Sequence, residues 1–155
     1  MNHALEDPWA LFDKRLRTAP ERVAIRTASR EFSFAQLARA VGALATRSAI
    51  SLAPQNAVGV LLGMLPEYLV ADLAILRSNL VKVPLNPMLS GTEMAYILEH
   101  SEAKALYTSS ALPEAEKEKV AELARALPEL EIIEVGFDSL LADADEAVTP
   151  VEASP

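Results

Sequence analysis

Residues 58–62, VGVLL, form an apolar run without a single polar position. A strand that rests one face on a core alternates apolar and polar residues, whereas a strand with no polar face must be covered on both sides. The run is therefore expected inside a parallel sheet, and the following sequence repeats a strand–helix alternation. In residues 66–79, Leu69, Leu73 and Leu76 make one stripe that continues to Leu80, and Tyr68, Ala71 and Ile75 make a second. A helix apolar over so much of its circumference lies between layers. Residues 81–83 read as a short strand closed by Pro84, which supplies no ladder donor in a central position. A helix over 92–100 follows, with Ser90 or Thr92 as its cap. Then come a strand at 104–108, a helix at 112–127 with Pro113 in its first turn, and a strand at 131–135. This order predicts an α/β fold, mostly parallel, with right-handed crossovers and helices on both faces of the sheet.

Upstream, Trp9, Leu11, Phe12 and Leu16 sit at helical spacing between Pro8, suited to a first turn, and Pro20. Residues 23–28 and 31–33, joined by a turn at Ser29-Arg30, read as an antiparallel hairpin. Ser33 can cap the next helix, with Gln36 completing a capping box; Leu37, Val41, Leu44 and Ala45 form its apolar face. The charges of Glu114, Lys117, Glu118, Lys119 and Glu122 read as a solvated helix surface. Residues 1–141 thus read as one α/β unit, and residues 142–155 as an acidic, aperiodic, linker-like tail.

With 14 Lys+Arg against 22 Asp+Glu, the net charge is −8. Such a chain repels phosphate backbones, so no nucleic-acid partner is expected. The absence of cysteine removes disulfides, thiolate ligands and thiol nucleophiles. The opening MNHALEDPW has acids and a proline where a secretory signal has basic then apolar residues. The longest apolar stretch is too short to cross a bilayer, so no membrane span and a cytoplasmic location are expected.

Candidate sites are few. The five glycines (42, 59, 63, 91 and 136) make neither a G-x-G-x-x-G loop nor a Walker loop. Gly59 and Gly63, flanking the apolar run, read as close-packing or turn positions. Of two histidines, His3 lies near the terminus and His100 in a last helical turn, where a partial positive charge suits the dipole. Asp72, the one charge inside an apolar helix, is expected at the surface or in a salt bridge with Arg77 or Lys82. Met64, Met88 and Met94 read as core filling. No G-x-S-x-G elbow is present. No catalytic, cofactor-binding or metal-binding residue is assigned to this chain.

The ordered segments resemble a known family. Ala19-Pro20 precedes Val23-Ala24-Ile25, and FSFAQL at 32–37 resembles a hairpin-to-helix step. Leu65-Pro66-Glu67-Tyr68 opens a long helix, LAILR at 73–77 continues it, and VPLNP at 83–87 leads to residues 93–101 and AKAL at 103–106. Their order and spacing are similar to the start of the AMP-forming acyl-CoA synthetases, of the fatty-acid–CoA ligase type. This superfamily of adenylate-forming ligases includes luciferases and peptide-synthetase adenylation domains. Two departures stand out: Ser78-Asn79 where the family carries glycine, and Gln55-Asn56 where it carries Gly-Asp. Asn79 is expected to take the left-handed conformation instead.

The resemblance implies an incomplete N-terminal subdomain of an adenylation domain. The complete enzyme would use ATP, Mg²⁺ and CoA to convert a fatty or other carboxylic acid to acyl-CoA, AMP and pyrophosphate. Its nucleotide-binding motifs would lie beyond Pro155, leaving this chain inactive alone. The implied partner is the remainder of the ligase, with a homo-oligomer as the alternative. Two other readings stay open: a stand-alone, non-catalytic α/β binding or interaction module, and one half of a split ligase.

Overall fold

A computed structural model describes residues 7–148. The sequence in 58–62 cannot sit at a surface, and it does not. Strand β3 (Ala57–Val60) runs between β4 (Val81–Pro84) and β5 (Ala105–Thr108), and β6 (Glu131–Glu134) pairs with β5, giving a parallel sheet of order β4-β3-β5-β6. Helix α3 (Glu67–Arg77) carries the chain from β3 to β4, α4 (Gly91–His100) from β4 to β5, and α5 (Glu114–Ala126) from β5 to β6. Upstream lie α1 (Pro8–Thr18), an antiparallel hairpin of β1 (Val23–Arg26) and β2 (Glu31–Ser33), and α2 (Phe34–Ser48).

The two faces of the sheet bury separate cores. Val58, Val60, Ala105, Tyr107 and Ile133 point to one, where α1, α2 and α3 pack through Phe12, Val41, Leu44, Val70 and Ala74. Leu61 and Leu106 point to the other, packed by Met94 and Leu98 of α4 and Leu123 of α5. Gly59 sits under Leu98 of α4: a Cβ there would stand 2.5 Å from Leu98 Cδ2 and 3.1 Å from Leu106 Cδ1.

Local signals set the boundaries. Asp7 caps α1. Ser33 with Gln36, and Ser90 with Glu93, form complete capping boxes, so Ser90 and not Thr92 caps α4. Asn79 turns the chain at φ 52°, the left-handed position that glycine fills most easily. Pro84 pairs at the end of β4, a sheet-edge strand, where a missing N–H costs little.

Two expectations need correction. The segment from 142 onward is not an aperiodic tail: α6 spans Phe137–Val148. Phe137, Leu140 and Leu141 recur at helical spacing and join the core on the α2 face, and the following residues extend that helix. The rest of the expected tail, residues 149–155, lies outside the described residues. Nor is α3 buried all round: Leu69 and Leu76 are 39% and 48% exposed, while Val70, Ala71, Ala74 and Ile75 face inward.

The hairpin is tied to α6. Phe32 stacks on Phe137 at 3.9 Å between ring centroids, and Arg30 grips Asp138 through two nitrogens at 3.2 and 2.9 Å. One polar pair lies wholly inside. Ser48 and Tyr107 hydroxyls meet at 2.5 Å, with both residues almost inaccessible. Burial pushes the Tyr107 phenol above its ordinary value, partly opposed by the Ser48 hydrogen bond.

Two outcomes follow for stability, both readable by urea denaturation. Gly59→Ala is expected to destabilise by about 1–3 kcal/mol, because the buried Leu98 and Leu106 side chains must shift to admit the methyl. Tyr107→Phe strands the Ser48 hydroxyl and should cost about 1–2 kcal/mol, while adding Ser48→Ala should recover part of the loss. The folded state holds the Tyr107 proton more tightly than the unfolded chain. Its contribution is therefore complete below about pH 10 and declines as pH rises above that value. Tyr107→Phe should flatten this alkaline decline.

Candidate functional site at the carboxyl edge of the sheet

Open α/β sheets bind ligands outside the carboxyl ends of the strands, where neighbouring strands send their connections to opposite faces. Here that point lies between β3 and β5, since α3 packs on the α2 face and α5 on the other. The loop after β3 turns at Gly63, φ 54°, and presents Met64 fully to solvent before Leu65 and Pro66 open α3. Strand β5 ends at buried Thr108, and the loop after it begins with buried Ser109; Ser110 donates its N–H and hydroxyl to Glu134 at 2.8 and 2.9 Å. The two loops come together where a Cβ on Gly63 would lie 3.8 Å from Leu112 Cδ2.

Beside the β3 loop lies an open groove of about 440 Å³, bounded by Ile25 of the hairpin, by Met64 and Leu65, and by Tyr68, Leu69 and Asp72 of α3. Its surface is mainly apolar. Its charged margin is an ion pair, Lys82 Nζ to Asp72 at 2.9 Å, with the ammonium 5.3 Å from the Tyr68 ring centre. The hydrogen bond to Asp72 is the main cause holding the Lys82 ammonium above its ordinary value, against a smaller desolvation effect. Lys82 is thus a fixed cation, not a base. The groove can accept an apolar surface or group; it offers no paired nucleophile and base for proton transfer.

The residues weighed in the sequence fall as follows. Asp72 is the salt-bridged carboxylate expected, with Lys82 as partner. His100 is exposed at the end of α4 and stacks on Tyr96, centroids 5.7 Å apart. His3 lies outside the described residues. Met94 fills core, but Met64 and Met88 do not: they are 100% and 86% exposed. Gly63 and Pro66 bracket Met64, and that punctuation was the available signal for an exposed loop.

A second cavity, about 400 Å³, lies between α2, α3 and α6 and gathers Arg39, Arg47 and Arg77. Arg47 already pairs with Glu131 at 3.1 Å, Arg39 pairs with Asp145, and Arg77 lies 5.9 Å over the Trp9 ring. A bound anion would compete with the protein's own carboxylates there. Among the described residues, no group of three or more His, Asp or Glu side chains is placed to hold a metal ion, and no helix is long and apolar enough to cross a membrane.

Comparison with known proteins agrees with the architecture. The family described as AMP-binding enzyme matches residues 12–154. The AMB antimetabolite synthetase AmbB of Pseudomonas aeruginosa is 34% identical over 122 residues, covering 78% of this chain and 9% of that protein. A linear gramicidin synthase of Brevibacillus parabrevis is 30% identical over 104 residues, 66% of this chain and 2% of that protein. Among solved structures, a benzoate CoA ligase from Burkholderia xenovorans superposes with a TM-score of 0.75 at 18% identity, over 86% of this chain and 28% of that one. The o-succinylbenzoate CoA synthetase of Bacillus subtilis, solved with ATP and magnesium ion, gives 0.64 at 26% identity, over 86% and 33%. The chain therefore spans a third or less of each of these relatives. Its α/β fold corresponds to the N-terminal subdomain of adenylate-forming enzymes, and the chain belongs to the AMP-binding enzyme family.

Proposed function

We propose that this chain supplies the N-terminal scaffold of a ligase that joins a carboxylic acid to AMP and then passes the acyl group to the thiol of CoA. The observation that carries this reading is the match over residues 12–154, together with a sheet that superposes on CoA ligases. In the reaction a carboxylate oxygen attacks the α-phosphorus of ATP, and pyrophosphate leaves with the P–O bond electrons. The thiol then displaces AMP from the mixed anhydride. Both steps develop charge on phosphate oxygens, which oriented donors and cations stabilise. In this reading ATP, Mg²⁺ and CoA are held by parts of the ligase outside this chain. The chain's own contribution is shape: a rigid two-faced sheet whose carboxyl edge and apolar groove abut the remainder.

A second reading replaces CoA with a carrier-bound thiol and the acid with an amino acid. It is favoured by the 34% and 30% identities to the antimetabolite and gramicidin synthetases.

ATP–pyrophosphate exchange tests the scaffold role. The 155-residue chain alone should give none with fatty, aromatic or amino acids. Mixed with the unmatched two-thirds of the Bacillus subtilis synthetase, it should restore exchange with o-succinylbenzoate. Acid-dependent exchange by the chain alone would refute the scaffold role, because the chemistry would then reside in the residues described above.

A further inference from the structure

The cavity between α2, α3 and α6 lies toward the amino end of the sheet. Arg77 closes α3 shortly before β4 begins, and Arg47 reaches Glu131, the first residue of β6. The crevice described above is at the other end of the strands. Around the cavity two ion pairs satisfy themselves, Arg47 with Glu131 and Arg39 with Asp145. Two further charges line the same space, the Arg77 guanidinium and the Asp143 carboxylate. Among the described residues neither has an ion-pair partner, and they do not reach each other; the guanidinium meets only the Trp9 ring, 5.9 Å away.

The rest of the wall is small and apolar: Gly42, Ala43 and Ala144. Gly42 stands inside α2, where alanine would favour the helix more. A Cβ there would lie 3.2 Å from Arg77 Nη1, so the glycine leaves the guanidinium its place against α2. The volume, about 400 Å³, is that of a small-molecule pocket. A simple anion drawn to Arg77 also meets Asp143, and a simple cation drawn to Asp143 meets three guanidinium groups. Each is opposed by a like charge. A molecule that carries both charges answers both: its carboxylate accepts from the guanidinium nitrogens, and its ammonium donates to the carboxylate.

We propose that this cavity binds a free amino acid with an aliphatic side chain. Arg77 holds its carboxylate, Asp143 holds its ammonium, and the side chain lies on Gly42, Ala43 and Ala144. The site uses no residue of the crevice or of the apolar groove, and it does not rest on the ligase reading.

Leucine is the probe, and two truncated forms separate its charges: 4-methylpentanoate lacks the ammonium, and 3-methylbutylamine lacks the carboxylate. Trp9 is the one tryptophan of the chain, so its emission reports on Arg77. The amide resonances of Gly42 and Ala144 report on the wall. Leucine added to the 155-residue chain should move both signals saturably. Each truncated form should bind about tenfold or more weakly, the loss expected when a hydrogen bond to a charged group goes unmade. Asp143→Asn should remove the advantage of leucine over 4-methylpentanoate, and Arg77→Gln its advantage over 3-methylbutylamine. Both positions are exposed, and unchanged Leu106 and Tyr107 resonances will show that the variants fold. The proposal is overturned by a lack of saturation up to about 10 mM leucine, by a truncated form that matches leucine, by shifts confined to residues outside the cavity, or by variants that keep the original preference. No ATP enters the experiment, so this site and the scaffold role fail separately.

Discussion

Every larger feature of this fold depends on two adjacent strands that no water reaches. In β3 the last three residues are buried, and in β5 all four are. Helices must then cover both faces, and the direction of each crossover is set by the face its helix covers. The reversal between β3 and β5 places the crevice. The central position also sets the tolerances: Gly59 has no side chain because α4 needs that space, and Tyr107 can be central only because Ser48 of α2 takes its hydroxyl.

Around that centre the charged groups are arranged to hold shape. Arg30, Arg47 and Lys82 each fix one element to another: hairpin to α6, α2 to β6, and β4 to α3. These pairs are largely exposed, so each contributes little on its own. Their value lies in orientation. At the carboxyl edge the Thr108 hydroxyl is buried without a hydrogen-bond partner among the described residues.

Much of this was legible in the residues. The Ser33–Gln36 capping box, the hairpin, the strand–helix alternation and the left-handed Asn79 follow from short-range chemistry, which a sequence states directly; the choice of Ser90 over Thr92 as the cap of α4 came only with the structure. What was not legible depends on distance. Leu69 and Leu76 have the spacing of buried residues, yet the layers meet on the other side of α3. Met64 and Met88 have core chemistry on loops that reach solvent. Helix α6 was missed because its acidic, alanine-rich second half hides the Phe137–Leu140–Leu141 stripe that docks on α2. The groove brings Ile25 next to Met64 and Leu69, a juxtaposition that no local pattern encodes.

The bond between Arg30 and Asp138 joins residues 108 positions apart, and it bears on how the molecule assembles during synthesis. A ribosome releases the hairpin long before it makes Phe137. Phe32, only 3% accessible in the finished fold, emerges with its stacking partner still unmade. Until α6 arrives, that ring has nothing from the carboxyl end to cover it. Helix α6 therefore closes over the hairpin late, and the interval before it leaves the exit tunnel is when this surface is open to chaperones.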